Sequence, residues 1–127
     1  MTRRAFVVAS VAVLVAVLVG CGGTEVVDVE RSWWLEAEPD GASLVVRAEV
    51  GSSSCDTFDH LEVTESDTTV AIQAHVRSEQ GGECTADLGF HTEEVVLDAP
   101  LGDRDLIGCD PADAARDCRE VQPFPAP

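Results

Sequence analysis

The sequence predicts an all-β fold: a small antiparallel β-sandwich or partly open barrel of about six short strands, with a short helical turn near the C-terminus. Three observations predict it. Two stretches, residues 43–50 and 69–77, alternate apolar and polar side chains with period two, the signature of a half-buried strand. Turn-forming residues (Pro39-Asp40-Gly41, Glu65-Ser66-Asp67-Thr68, Gly81-Gly82) punctuate the chain between short apolar runs. The chain has 127 residues, enough for one modest core.

The elements follow in order. Residues 33–38 form a first strand that ends at the Pro39-Asp40-Gly41 turn, and neighbouring Trp33 and Trp34 point to opposite faces, one of them into the core. In 43–50, Leu44, Val46, Ala48 and Val50 share a face. Residues 51–54 are a loop. Residues 60–77 read as a β-hairpin: Leu61 and Val63 alternate with Glu62 and Thr64, the polar run 65–68 turns, and Val70, Ile72, Ala74 and Val76 line one face of the return strand. Residues 78–82 are a loop, 95–97 a strand, 100–103 a loop and 106–107 a short strand. Asp110-Pro111-Ala112-Asp113 resembles a helix start, with an Asp cap and Pro at the first helical position. The tail Pro123-Phe124-Pro125-Ala126-Pro127 is expected to be extended.

The N-terminus carries the clearest signal. Arg3 and Arg4 precede a 15-residue stretch, 5–19, in which Ser10 is the one polar residue. A membrane-spanning helix needs about 20 apolar residues, so the stretch fits the h-region of a signal peptide. It ends in Leu18-Val19-Gly20-Cys21, which resembles the lipobox of bacterial lipoproteins at all four positions. The resemblance implies cleavage between Gly20 and Cys21 and a diacylglyceryl group on the Cys21 sulfur, with the acyl chains anchored in the outer face of the cytoplasmic membrane. At about 0.8 kcal/mol per buried methylene, two or three chains make a firm anchor. The organisation expected is a signal peptide over 1–20, a lipidated tether over 21–31, a β domain over 32–120 and a disordered Pro-rich tail over 121–127.

Five cysteines are present, and with Cys21 lipidated four remain: Cys55, Cys84, Cys109 and Cys118. An even number in an exported chain points to two disulfides. Of the three possible pairings we favour Cys55–Cys84 and Cys109–Cys118. The second conflicts with a regular helix over 111–118, which would rise about 10 Å where a disulfide needs its Cα atoms within about 7 Å. The segment is therefore expected to be a single turn that doubles back. The cysteine spacings fit no usual zinc knuckle.

The runs Gly51-Ser52-Ser53-Ser54-Cys55, Glu62-Val63-Thr64-Glu65, Cys84-Thr85-Ala86-Asp87-Leu88 and Pro100-Leu101-Gly102-Asp103-Arg104 resemble a group of small lipoproteins and secreted proteins of high-GC Gram-positive bacteria. The resemblance spans about residues 33–118. It implies the β fold and the Cys55–Cys84 pairing, and carries no activity to transfer.

Charge and motifs then bound the function. Asp and Glu number 24 against 8 arginines and no lysine, a formal charge of −16; removing Arg3 and Arg4 with the signal makes it −18. Such a chain does not bind nucleic acid through a basic surface. Asp56, Asp59 and His60 cluster in sequence and invite a metal, with His75 or His91 as further ligands, but His60 and His75 fall on the polar faces of their strands and no histidine spacing matches a ligand motif. Neither a metal site nor a cofactor is expected. Asp103, Asp105, Asp110, Asp113 and Asp117 offer oxygen ligands for calcium without an EF-hand run, and read as a solvated acidic surface, with Arg104 paired to a neighbouring acid. The serine run 52–54 is no nucleophile elbow, so no catalytic residue is assigned and the chain is not read as an enzyme. The expectation is a non-catalytic acidic interaction module whose partners are the lipid bilayer, through Cys21, and a basic protein or cell-wall component. The alternatives, in order, are a structural or spacer lipoprotein of the envelope, and a calcium-dependent protein or enzyme with an unrecognised site.

Overall fold

Seven strands, all β and arranged in two sheets, make up the fold in a computed structural model that describes residues 23–123. They are β1 (Glu25–Arg31), β2 (Trp33–Leu35), β3 (Ser43–Gly51), β4 (Asp56–Glu65), β5 (Thr69–Gln80), β6 (Gly89–Val96) and β7 (Asp105–Ile107). The signal peptide, Gly20, Cys21 and residues 124–127 lie outside the described residues.

β5 is the axis of the first sheet. Its alternation is strict, with Val70, Ile72, Ala74 and Val76 buried and their neighbours facing out. β4 pairs along one side of it, antiparallel, and the other side is shared. β1 covers Ala74–Gln80, antiparallel, and β7 covers Thr69–Ala71, parallel. The second sheet has the order β2-β3-β6, antiparallel throughout. Leu44, Val46 and Ala48 of β3, Trp33 and Leu35 of β2 and Val95 of β6 face the first sheet across a core completed by Leu97, Leu101 and Leu106.

The gap between β1 and β7 leaves Ile72 without a strand partner on that side, and Trp33 closes it. Its indole N–H donates to the Ile72 carbonyl at 2.8 Å, satisfying a polar group buried between the sheets. Gly108, directly after β7, lies against the same carbonyl with φ of 100°. A Cβ there would collide with the Ile72 oxygen, so both space and backbone conformation require glycine.

Both disulfides form as expected: Cys55–Cys84, with Cα atoms 5.6 Å apart, and Cys109–Cys118, at 5.8 Å. Several expectations are corrected. Residues 25–31, read as tether, are strand β1, because Val27 and Val29 have an edge of β5 to cover. The loop expected over 78–82 begins only after Gln80, since β5 continues to meet Glu25 and Val26. Residues 56–59 extend the hairpin backwards and 89–94 extend the strand expected at 95–97. No helical turn forms after Asp110. Two tight turns take its place, closed by Asp113 N–H to the Asp110 carbonyl (3.1 Å) and Arg116 N–H to the Asp113 carbonyl (3.2 Å). The tail is fixed at its start: Val121 bridges Leu35 and the Gln122 N–H donates to the Leu35 carbonyl at 2.8 Å.

Candidate functional site

The outer face of the first sheet gathers the chain's chemistry, and a β-bulge arranges it. Phe58 pairs with Val76, yet His60 pairs with His75, so Asp59 is an extra residue on β4. A bulge places two consecutive side chains on one face; here they are Asp59 and His60, both exposed, between Phe58 and Leu61, which both pack against the core. The shift sets His60 directly opposite His75. Their rings stack with centroids 4.6 Å apart and planes 8° apart.

Carboxylates hold both rings. Asp59 Oδ2 lies 2.6 Å from His60 Nδ1, and its other oxygen is 3.2 Å from Arg77 Nε. Asp28 Oδ1, on β1, lies 2.9 Å from His75 Nδ1. Glu62 Oε2, two residues beyond His60, lies 3.2 Å from His75 Nε2. Beside them Gln73 donates to Glu30 at 3.2 Å. His75 is the most sheltered member, its side chain 14% exposed against 52% for His60 and 54% for Glu62. The hydrogen bond that His75 gives to Asp28 raises the His75 pKa above its usual value, against a lowering by burial, with Glu62 adding to the rise. The hydrogen bond from His60, helped by Arg77 against some desolvation, lowers that of Asp59. The donor atoms of His60, Glu62 and His75 lie within 4.8 Å of one another, so the three can converge on one ion.

Of the metal candidates weighed in the sequence, His60, Asp59 and His75 therefore meet, although their spacing gave no sign of it. Asp56 and His91 do not join them. Asp56 accepts from the Ser52 N–H at 2.7 Å and faces Arg31 at 3.7 Å. His91 stacks on Phe58 with centroids 3.8 Å apart and lies 3.1 Å from Glu93. Asp28 and Glu62 were not singled out from the sequence; the run Phe58-Asp59-His60-Leu61, where alternation skips a beat, is the signal that marks the bulge.

Three of the other acids are engaged locally. Asp110, Asp113 and Asp117 each accept the backbone N–H two residues on, turning the loop rather than converging on an ion. Arg104 pairs with neither Asp103 nor Asp105: it reaches Glu65 at 3.1 Å and the carbonyls of Ala99 (2.8 Å) and Pro100 (2.9 Å), pinning the 99–104 loop to the β4–β5 hairpin. Ser52, Ser53 and Ser54 bond to Thr85 and Asp87 beside the Cys55–Cys84 bridge. Trp33 is the core tryptophan. Trp34 instead covers the buried Arg47 on the outer face of the second sheet, the guanidinium carbon 4.6 Å from its ring centre, with Phe90 edge-on to it.

No family model, curated protein or solved structure matches the chain. Among the described residues no helix is long and apolar enough to cross a membrane.

Proposed function

We propose that the chain is a membrane-tethered extracytoplasmic binding module, anchored by lipid on Cys21 and acting without catalysis through the acidic outer face of its four-stranded sheet. The observation that carries this reading is the convergence on that face of Asp28 and Glu30 from β1, Asp59 and Glu62 from β4 and Glu79 from β5. Among its described residues Arg77 is the one side chain of fixed positive charge. Such a face steers a cationic partner and repels a polyanion, an effect screened by salt. The partner is a basic protein or a cationic component of the cell wall. The anchor rests on the lipobox and its preceding apolar stretch. Among the described residues the four cysteines pair in two disulfides, and the 52–54 hydroxyls bond to Thr85.

The test is crosslinking of the tagged full chain on living cells. One reproducible partner is expected at low salt. It should be lost at high salt, weakened by Glu30→Lys with Glu79→Lys, and absent for Cys21→Ala, in which metabolic acyl labelling also disappears. An empty capture at low salt overturns the binding role and leaves the structural, spacer reading in its place.

A further inference from the structure

We propose that His60, Glu62 and His75 form a site for a divalent transition ion of the zinc type. Two imidazoles and a carboxylate, with room for solvent as a fourth ligand, are a donor set suited to Zn2+. The arrangement around them is what distinguishes the cluster from an ordinary acidic surface. Metal-binding histidines characteristically donate the ring N–H away from the ion to a carboxylate, which fixes ring orientation and raises ligand basicity. Here that partner is present twice: Asp59 on His60 Nδ1 at 2.6 Å, and Asp28 on His75 Nδ1 at 2.9 Å. Asp59 is steadied in turn by Arg77. Both Nδ1 atoms being so engaged, Nε2 is the nitrogen each ring has to offer.

His75 Nε2 already faces a ligand. With its Nδ1–H given to Asp28, the 3.2 Å approach of Nε2 to Glu62 Oε2 sets a lone pair against a carboxylate unless a proton or a cation lies between them. An ion bound by both atoms fills that place. His60 completes the set from the opposite strand because the bulge at Asp59 puts it in register with His75. Donor atoms around tetrahedral zinc sit about 3.4 Å apart; one ring nitrogen or carboxylate oxygen from each of the three residues lies within 4.8 Å of the others, so the set must draw in by about an ångström. The exposed His60 and Glu62 side chains have the freedom to do so, and the His60 ring must tilt out of its stack on His75. The site does not depend on the lipid anchor or on a protein partner.

The experiment is a titration of the full chain with ZnCl2 against a chromophoric chelator, with imidazole nitrogen NMR as the second readout. One equivalent should bind. The resonances of His60 and His75 should shift and those of His91 should not. His60→Ala should weaken binding at least tenfold and His91→Ala should leave it unchanged. Asp28→Asn and Asp59→Asn, which remove positioning groups and not ligands, should weaken it 10- to 100-fold. Unchanged melting of each variant without metal separates loss of the site from loss of the fold. The proposal is overturned if the wild-type chain and His60→Ala bind Zn2+ equally, if no histidine resonance of the pair moves, or if an equal concentration of Ca2+ displaces the ion.

Discussion

Single side chains decide whether this fold's loops hold, and Asp87 is the clearest case. It accepts from the Ser53 N–H, with both oxygens at 3.3 Å, and from the Thr85 hydroxyl. Hydrogen bonds from Ser53 first, then Thr85, lower its pKa from 3.8 to about 2. A carboxyl whose pKa falls on folding contributes stability that is present above its unfolded value and lost as pH drops through the folded one. The clasp between the 51–55 and 84–88 segments should therefore hold above pH 3.8 and release between 3.8 and about 2. Carboxyl NMR titration checks the value directly, and Asp87→Asn should flatten the stability profile over that interval. An Asp87 titrating at its ordinary value would remove the clasp from the account.

At the scale of elements, the two disulfides staple different things. Cys109 and Cys118 are buried in the core, whereas Cys84 is exposed midway along the loop between β5 and β6. Reductant reaches a sulfur it can touch, so Cys55–Cys84 should open first, with mass-tagged alkylation labelling Cys84 ahead of Cys109 and Cys118. With its ends separated by 29 positions in sequence, loss of that bridge by Cys55→Ser with Cys84→Ser should cost about 3.6 kcal/mol in the chain-entropy account, measured by urea unfolding. The elements also show what a sequence conveys. The alternation over 43–50 and 69–77 was legible because each strand has one buried and one wet face. β1 was not: its valines follow a glycine pair, and only the unfilled edge of β5 explains them. The cap-like Asp110-Pro111 suggested a helical turn, but a bridge nine residues long and three aspartates turning the backbone left no room for one. The histidine pair was illegible for a different reason. Spacing along one strand says nothing about a partner on the next, and a one-residue shift in register decides which side chains meet. Read as a bulge, the break between Phe58 and Leu61 would have brought His60 and His75 together.

For the whole molecule, the position of β1 bears on how an anchored domain would stand. The tether expected over 21–31 loses residues 25–31 to β1, where Glu25 is already paired with Gln80, and three residues separate Cys21 from Glu25 in the sequence. Three residues reach at most about 11 Å. If Cys21 carries the lipid, the end of the molecule holding Glu25, Gln80 and Gly82 is confined beside the bilayer. β5 then leads away from it over 12 residues, roughly 40 Å at strand rise, to the β4–β5 turn at Asp67. The acidic sheet face would run along this axis and be open to partners approaching from the side. The charge favours the same posture: anionic headgroups repel a chain whose formal charge of −16 becomes −18 once Arg3 and Arg4 leave with the signal, so a domain on a short leash gains by standing upright rather than lying flat. Environment-sensitive probes at Gly82 and Asp67, introduced singly in lipidated protein on vesicles carrying headgroup quenchers, should report strong quenching at Gly82 and little at Asp67. Equal quenching would mean a domain lying along the membrane, with its acidic face partly occluded. Inserting ten Gly-Ser residues after Gly23 should abolish the difference, since a leash of that length frees either end to approach the surface.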